Sequence, residues 1–411
     1  MYPDAEIAKQ FPSYVKTLAA RLAAADKRAY PVGGCVRDLL RGVTPNDFDM
    51  TTNATPEEIM AILFDLRVVP TGIAHGTVTV IVEEHAVELT THRTDGTYHD
   101  SRHPDSVTFT DDLTEDLARR DFTVNAMAFD LEANTVIDPF GGKWDLENGI
   151  IRAVGDPTAR FLEDALRILR AFRFAAKLDF EIEEKTKRAA KELASGLSGI
   201  SVERIFTELQ GTLVAPAAKR GMLAIFDAGA LPFVFFDTVP DPLMLAHLAT
   251  LPTDAPLRLA ALLHAHTPEV TGALCRRWHT SNAFREALCA YLNALGTPLP
   301  TTHFEARRFV CHHFPHFENA LLLHGVIHET DVTSSLSLVR EVFRDKTAVE
   351  IRRLAVNGRE LQERVGVRAP ATAAMLQKLQ EHVWQYPNEN KKSVLLDVAK
   401  ELVRKEPSLY A

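Results

Sequence analysis

The sequence has few cysteines, no long hydrophobic run and no excess of positive charge, and each shortage argues against a class of protein. The four cysteines among 411 residues are widely separated and form no Cys-x-x-Cys pair. This spacing argues against a disulfide framework and a zinc knuckle, and it favours a reducing cytoplasm. No apolar run approaches the roughly 20 residues that cross a bilayer, so we expect no membrane association. The N-terminus lacks the cationic and apolar segments of a secretory signal.

The formal net charge of −9 at pH 7 is unusual for a protein that handles nucleic acid. Phosphate groups require only a local basic stripe, so the total charge weakens this class of function without excluding it. No sequence feature indicates an obligatory protein partner. A chain of 411 residues is too long for one compact core, and we expect two or more domains.

Strand and helix signals divide the chain into an α+β part and a helical part. Alternating residues in 77–82 and 86–92, separated by Glu83-Glu84-His85, predict a β-hairpin. From about Phe161 onward, strand signals fade and helical periodicity dominates. We therefore predict an α+β N-terminal head, with a mixed sheet and helices, followed by an all-α neck, body and tail. The predicted bounds are 1–150 for the head, 151–215 for the neck, and 216–411 for the body and tail.

Two carboxylates, Asp47 and Asp49, are separated by one residue in a segment that we predict to be a strand, 46–51. Residues i and i+2 of a strand point to the same face, so the two carboxylates project together. They repel each other unless a cation lies between them, and oxygen ligands of this kind suit Mg²⁺. Glu88, on the neighbouring hairpin, is a candidate third ligand. An isolated Asp-x-Asp pair is more often a solvated strand end.

A glycine turn, Gly33-Gly34, precedes this pair and opens a predicted helix that contains Arg37. Glycine lets the backbone approach a ligand closely, and free N–H groups at a helix N-terminus can bind phosphate. A guanidinium fork also pairs with phosphate. A tight strand-to-helix turn alone would explain these residues, but the turn followed by the carboxylate pair is a more specific pattern.

Gly33-Gly-Cys-Val-Arg-Asp38 followed by Asp47 and Asp49 resembles the polymerase β-type nucleotidyltransferase superfamily. In particular, it is similar to the class II tRNA nucleotidyltransferases (CCA-adding enzymes) and their relatives, the bacterial poly(A) polymerases. The similarity continues in order over residues 30 to 210, about half the chain. Its further segments are Arg119-Arg-Asp-Phe-Thr-Val-Asn125, Asp138-Pro-Phe-Gly-Gly142, Glu163-Asp-Ala-Leu-Arg167-Ile-Leu-Arg170-Ala-Phe-Arg173 and Ser201-Val-Glu-Arg-Ile205.

The resemblance implies roles for these residues. Asp47 and Asp49 would hold two Mg²⁺ ions, which promote in-line attack of an RNA 3′-hydroxyl on the nucleotide α-phosphate and release of pyrophosphate. The other implied contacts are to the nucleotide: Gly34 and Arg37 to the triphosphate, Arg120 to the nucleotide generally, and Asp121 and Asn125 to the ribose.

The segment from Glu163 to Arg173 would select the nucleotide base. The resemblance implies that Asp164 and Arg167 hydrogen-bond the base and that Arg170 and Arg173 meet phosphates. The spacing of Arg160, Asp164 and Arg167 predicts one shared helical face. Cytosine and adenine both present an amino group to Asp and a ring acceptor to Arg, whereas uracil and guanine present the wrong pattern at those edges. Ordinary surface pairing along a helix is the structural alternative.

These observations predict that the chain adds CCA to the 3′ end of tRNA with CTP and ATP as substrates. Addition of A alone, by a tRNA A-adding enzyme or a poly(A) polymerase, is the first alternative. A catalytically silent tRNA-binding chaperone is the second. The segment 93–104 resembles a flexible loop that the family needs for the switch to A addition, and it is not shortened here.

Other polar residues carry weaker predictions. His264 and His266 lie where some relatives bind metal, but no Asp follows His264, so we expect structural roles for both. Cys35 is expected to pack inside the glycine turn. The candidates for tRNA contacts in the helical half are four basic pairs, Arg276-Arg277, Arg307-Arg308, Arg352-Arg353 and Lys391-Lys392.

Overall fold

The computed structural model describes residues 1–95 and 107–410, and these fall into two compact units. The first unit spans Met1–Val239 and the second Pro240–Ala411. The three-part division predicted above, with bounds at 150/151 and 215/216, subdivides the chain by function, and it stays a prediction. Among the described residues, no helix has both the length and the apolar composition needed to cross a membrane.

The first unit contains a five-stranded mixed sheet with the strand order β1-β2-β5-β4-β3. Strands β2 and β5 are parallel, and the other neighbours are antiparallel. Three two-stranded sheets, β6-β7, β8-β9 and β10-β11, complete the strand structure of the described residues. The strands are β1 Ala29–Pro31, β2 Met50–Thr52, β3 Arg67–Gly72, β4 Thr77–Val82, β5 His85–Thr91, β6 Arg93–Asp95, β7 Val107–Phe109, β8 Ala128–Asp130, β9 Thr135–Ile137, β10 Ile150–Ile151 and β11 Glu181–Ile182.

The hairpin of β4 and β5 shows why the sequence folds this way. Val78, Val80 and Val82 are buried and alternate with half-exposed residues, so one face of β4 lies in the core. Glu83 and Glu84 both have positive φ, 48° and 66°, as a two-residue hairpin turn requires. The predicted hairpin is therefore confirmed.

Helices surround the sheet and make up the rest of the first unit. α8 is its central helix, with nine buried residues along its length. The helices are α1 Asp4–Gln10, α2 Ser13–Ala23, α3 Gly34–Leu40, α4 Pro56–Ile62, α5 Leu113–Ala118, α6 Gly142–Asn148, α7 Pro157–Glu163, α8 Leu166–Leu178, α9 Glu184–Glu192, α10 Val202–Leu213, α11 Ala218–Asp227 and α12 Leu231–Val234.

The second unit, as far as the structure describes it, contains helices and no strands. Part of its core is a cluster that includes Met375, Leu379 and Leu395. The predicted fold class, a mixed α+β head followed by a helical remainder, is confirmed. The helices are α13 Ala255–Leu262, α14 Pro268–Arg277, α15 Asn282–Ala294, α16 His303–His313, α17 Phe317–Ile327, α18 Thr333–Arg344, α19 Gly358–Val365, α20 Thr372–Gln385, α21 Lys392–Lys405 and α22 Pro407–Tyr410.

Candidate active site

The carboxylate pair, Asp47 and Asp49, lies just before β2 and not within it. The ladder of β2 begins at Met50, opposite Pro31, so the predicted strand 46–51 was placed too early. After Pro31, the segment that follows β1 turns at Gly33 into α3. The residues before Met50 therefore have no continuous strand to pair with. One bond persists, from Val32 N–H to the carbonyl of Asp49 at 3.0 Å. Both carboxylates are exposed at the end of the sheet.

Negative charge accumulates around Asp49. Although Asp49 keeps exposed surface, the protein packed around its carboxyl group partly excludes water, and repulsion from Asp47 and Glu88 adds to that effect, so its pKa rises to about 6. The guanidinium of Arg120 acts in the opposite direction. A carboxyl with a raised pKa beside a second carboxylate is an environment that a divalent cation would stabilise.

The donor set fits Mg²⁺ through two carboxylates. Within residues 1–95 and 107–410, no three or more His, Cys, Asp or Glu side chains are arranged to hold a metal ion. Glu88 therefore contributes charge near Asp49, but the structure does not bring it into a three-ligand group. Mg²⁺ typically binds one or two carboxylates together with substrate phosphates, so Asp47 and Asp49 alone satisfy its usual protein contribution.

The glycine turn is closed on one side by Arg120. Gly33 has φ 77° and ψ −124°, and a Cβ there would lie 3.3 Å from Nη1 of Arg120. Nη2 of Arg120 donates to Asp116 at 3.2 Å, while its buried Nε–H has no hydrogen-bond partner among the described residues. Arg120 thus lies beside both the turn and the carboxylate pair with an unused donor, as a phosphate-binding cation requires.

Arg37 occupies a more enclosed position than the sequence suggested. Its side chain is 3% exposed and donates to both oxygens of Asp38, at 2.8 and 2.9 Å, and to Oδ1 of Asn125 at 2.5 Å. The guanidinium also lies 5.5 Å above the ring of Phe174. Three of its donor groups are therefore already in use, and its direct contact with a triphosphate stays a prediction.

Asp121 and Asn125 belong to a polar network that extends to α8. Oδ2 of Asp121 accepts from Nε and Nη2 of Arg170 at 2.9 and 2.7 Å, and its Oδ1 accepts from Asn125 at 3.2 Å. Burial alone would raise the pKa of Asp121, but Arg170 and these hydrogen bonds lower it overall. Arg173 pairs with Glu208 of α10 and stacks 4.4 Å above Phe174. The network fixes Arg170 and Arg173 relative to Asn125 and Arg37.

The base-selecting pair does not lie on one continuous helix. Asp164 has extended backbone angles between α7 and α8, so the predicted helical face through Arg160, Asp164 and Arg167 is wrong. Oδ1 of Asp164 accepts from the N–H of Leu166, the first residue of α8, at 2.9 Å. The helix break is therefore stabilised by the residue that was expected to read the base.

Asp164 and Arg167 are each held by a different partner. Oδ2 of Asp164 accepts from Nη2 of Arg204 at 2.7 Å. Nη1 of Arg167 pairs with Glu163 at 2.6 Å, and its Nη2 donates to the carbonyl of Arg119 at 3.1 Å. Both groups are thus fixed in place by neighbours, and the oxygens of Asp164 retain lone pairs that could accept further hydrogen bonds.

Three residues that support the site were assigned no role from the sequence. Asp116 is fully buried and accepts from Arg119, Arg120 and Thr51, and its pKa is lowered by Arg120 and Arg119 against the effect of burial. Arg204 lies in the segment 201–205 quoted for the resemblance, and Glu208 follows one helical turn later. The four-residue spacing of Arg204 and Glu208 was visible in the sequence. The position of Asp116 behind Arg120 depends on the tertiary fold.

The predicted loop 93–104 lies largely outside the described residues. Its first residues form β6, which pairs with β7 from Val107 to Phe109. His264 bonds Asp241 at 2.9 Å through Nε2. Cys35 is buried, its thiol is directed toward the carbonyl of Val32, and burial together with Asp49 raises its pKa to about 12. These environments agree with the structural roles expected for His264 and Cys35.

Some basic residues of the second unit are paired within the protein, and others are exposed and could contact tRNA. Arg307 donates to the carbonyl of Trp384 at 2.6 Å, Arg352 pairs with Glu350, and Lys392 pairs with Glu360. Arg276 and Arg308 are exposed. A tRNA-binding role for these clusters stays a prediction.

Two protein-family models match the chain. The poly A polymerase head domain matches residues 29–152. The model described as the probable RNA and SrmB-binding site of polymerase A matches residues 179–241. The first match includes the carboxylate pair and Arg120, and the second includes Arg204 and Glu208.

Similar proteins are CCA-adding enzymes. The enzyme of Enterococcus faecalis is 36% identical over 392 residues, which cover 90% of this chain and 91% of that protein. The enzyme of Streptococcus sanguinis is 44% identical over 269 residues. The chain aligns with 66% of the length of this relative and with 49% of the enzyme of Geobacillus thermodenitrificans.

A solved structure extends the similarity across the fold. The crystal structure of the Bacillus stearothermophilus CCA-adding enzyme in complex with CTP matches with a TM-score of 0.84 and 30% identity. That match covers 99% of this chain and 100% of the other. The fold agrees with these comparisons, and the chain belongs to the family of CCA-adding enzymes, the class II nucleotidyltransferases.

Proposed function

We propose that this protein adds CCA to the 3′ end of tRNA, with CTP and ATP as substrates. The observation that carries the proposal is the carboxylate pair, Asp47 and Asp49, beside the glycine turn and the unused donor of Arg120. The relatives at full-length coverage are CCA-adding enzymes, and one was solved with CTP. Since tRNA, CTP and ATP occur together in the cytoplasm, we place the protein there.

Asp47 and Asp49 would hold Mg²⁺ in this reaction. When bound, Mg²⁺ supplies the positive charge that activates the RNA 3′-hydroxyl and stabilises the leaving pyrophosphate. Arg120 donates its free Nε–H to a phosphate oxygen, and the N–H groups at the start of α3, beginning at Gly34, approach the triphosphate without interference from a side chain. Arg37 holds Asn125 in position, and Asp121 and Asn125 line the ribose.

The base is selected by Asp164 and Arg167. Asp164 accepts a hydrogen bond from the amino group of cytosine or adenine, and Arg167 donates to a ring acceptor. Arg204 and the N–H of Leu166 fix the carboxylate of Asp164, while Glu163 fixes Arg167. Because both groups are held in place, the order of addition depends on the position of the RNA end relative to one fixed pair. Arg170 and Arg173 provide positive charge toward the phosphates.

Addition of A alone is the second candidate function. One observation favours it: the family model that matches residues 29–152 describes the head of poly A polymerases. The same metal and base contacts would serve that reaction, and only the products distinguish the two. The retained carboxylate pair argues against a catalytically silent tRNA-binding chaperone, whose metal site would have no reason to persist.

Replacement of Asp49 tests the metal site. Asp49→Asn should reduce Mg²⁺-dependent incorporation of CTP and ATP by about 1,000-fold or more, because the charge stabilisation by the metal is lost. Binding of tRNA, measured by filter retention, should remain. Asp26→Asn is the matched control, since Asp26 is exposed and has a positive φ that asparagine tolerates. Incorporation by Asp49→Asn at the rate of this control would disprove the assignment.

A further inference from the structure

Lys177 is an exposed cation in the last turn of α8, and neither the sequence motifs nor the comparisons assign it a role. It follows Arg170 and Arg173 by seven and four residues, so the three share one face of the helix. Arg170 and Arg173 are paired with Asp121 and Glu208. Among the residues that the structure describes, Lys177 forms no hydrogen bond or ion pair.

Two cation–π contacts hold the C-terminal part of α8, which carries Lys177, beside α3. Arg37 lies 5.5 Å above Phe174, and Arg41 lies 5.8 Å above Phe180. In the sequence, Lys177 lies three residues after Phe174 and three before Phe180, and Asp38 lies between Arg37 and Arg41. The chain that leaves α3 leads directly to the carboxylate pair, so the end of α8 faces the helix that opens the site.

The charges around Lys177 agree with this placement. Partial burial and then Arg37 lower its pKa, Asp38 and Asp47 act to raise it, and Arg173 acts to lower it. Carboxylates and guanidinium groups therefore both act on the ammonium group. None of these groups forms an ion pair with Lys177 among the described residues, so its ammonium group remains available to bind an anion.

We propose that Lys177 binds the β- and γ-phosphates of the incoming nucleotide and stabilises the pyrophosphate as it leaves. This role rests on the nucleotidyl transfer proposed above. In that step the RNA 3′-oxygen forms a bond to the α-phosphorus, and the bond from the α-phosphorus to the oxygen shared with the β-phosphorus breaks. The electron pair remains on the pyrophosphate, and the proton of the 3′-hydroxyl passes to solvent. Lys177 binds the group on which negative charge increases.

Product inhibition by inorganic pyrophosphate tests this role. Lys177→Met should raise the inhibition constant of pyrophosphate and the KM for CTP and ATP by about 10- to 100-fold, the loss of one hydrogen bond to a charged group. The KM for tRNA and the melting temperature should not change, which separates phosphate binding from a structural role. Lys177→Arg keeps the charge and should retain most of the affinity. Lys16→Met is the matched control, because Lys16 is exposed on α2.

Inhibition of Lys177→Met by pyrophosphate at the wild-type constant would overturn the proposal. Calorimetric titration of the same proteins with magnesium pyrophosphate does not depend on turnover. If the wild-type protein incorporated no nucleotide but bound magnesium pyrophosphate in a manner lost in Lys177→Met, the proposed function would fail and the phosphate site would stand. Equal calorimetric binding by both proteins would reject the site independently of the reaction.

Discussion

At the level of individual residues, the candidate site depends on charges that are held by partners to which the sequence assigned no role. Arg204 binds Asp164, Glu208 binds Arg173, and Asp116 binds both Arg119 and Arg120. These partners restrict the side chains to one geometry before any substrate arrives. Such preorganisation contributes to catalysis because the groups need not reorient during the reaction.

The partner of Asp164 gives a testable effect on specificity. Arg204→Ala should lower kcat/KM for CTP and ATP by about tenfold, because a freed carboxylate no longer points at the base, and it should raise the incorporation of UTP. Steady-state kinetics with each nucleotide provide the measurement. Arg220→Ala is the control, since Arg220 forms a comparable pair with Asp179 away from the site. An unchanged preference among nucleotides in Arg204→Ala would contradict the positioning role.

The raised pKa of Asp49, about 6, predicts how pH and metal affect stability. A carboxyl whose pKa is higher in the folded than in the unfolded protein stabilises the fold at low pH, and this stabilisation is lost as pH rises through 6. Mg²⁺ binds the ionised form, so it should raise the melting temperature of the wild-type protein at pH 7.5 and much less at pH 5. Asp49→Asn should show no such dependence. Equal stabilisation by Mg²⁺ at both pH values would argue against this carboxylate as a ligand.

The short-range motifs were predictable from the sequence, whereas their supporting contacts were not. Gly34, Asp47 and Asp49 are recognisable because a tight turn and a carboxylate pair are local patterns. The bond from Arg204 to Asp164 joins residues that are 40 positions apart, and the burial of Asp116 appears only when α5 packs beneath Arg120. Residue spacing contains no information on either contact.

At the level of helices and strands, the predicted elements were correct where the alternation of buried and exposed residues extended over many positions. The predictions were wrong at the ends of elements. The β4–β5 hairpin has alternation over many residues and was placed correctly. The strand before Met50 was placed too early because the turn at Gly33 removes its partner. The helix through Asp164 was predicted as continuous because the i, i+4 spacing ignores a side chain that accepts from the first N–H of the following helix.

The packing of α11 against α8 supports the helix that carries Arg170 and Arg173. A Cβ at Gly221 would lie 2.6 Å from Thr212 Cγ2 and 2.8 Å from the carbonyl of Phe172. Gly221→Ala should therefore lower the free energy of unfolding by about 1–3 kcal/mol, measured by urea denaturation of the first transition. Gly199→Ala is the control, because a Cβ at that position would have no other atom within 4 Å, and its effect should stay within about 0.5 kcal/mol. Equal stability of the two variants would show that α11 can shift away from α8.

At the level of the whole molecule, an acidic chain is compatible with an RNA substrate because the positive groups are concentrated locally. The total charge is −9, yet Arg170, Arg173 and Lys177 share one face of α8 in the first unit. The basic pairs of the second unit include exposed members, such as Arg276 and Arg308, that have the chemistry for backbone phosphates. A net charge alone therefore says little about the substrate of this protein.

The measurement that tests the proposed function most directly is incorporation into three tRNA transcripts that end before CCA, after C and after CC. Each transcript is incubated with purified protein and Mg²⁺ and with CTP, ATP or both. Full CCA addition predicts that all three reach CCA when both nucleotides are present, and that CTP is used before ATP. Extension of only the transcript ending in CC, with ATP alone, would contradict CCA addition and assign the protein to A addition.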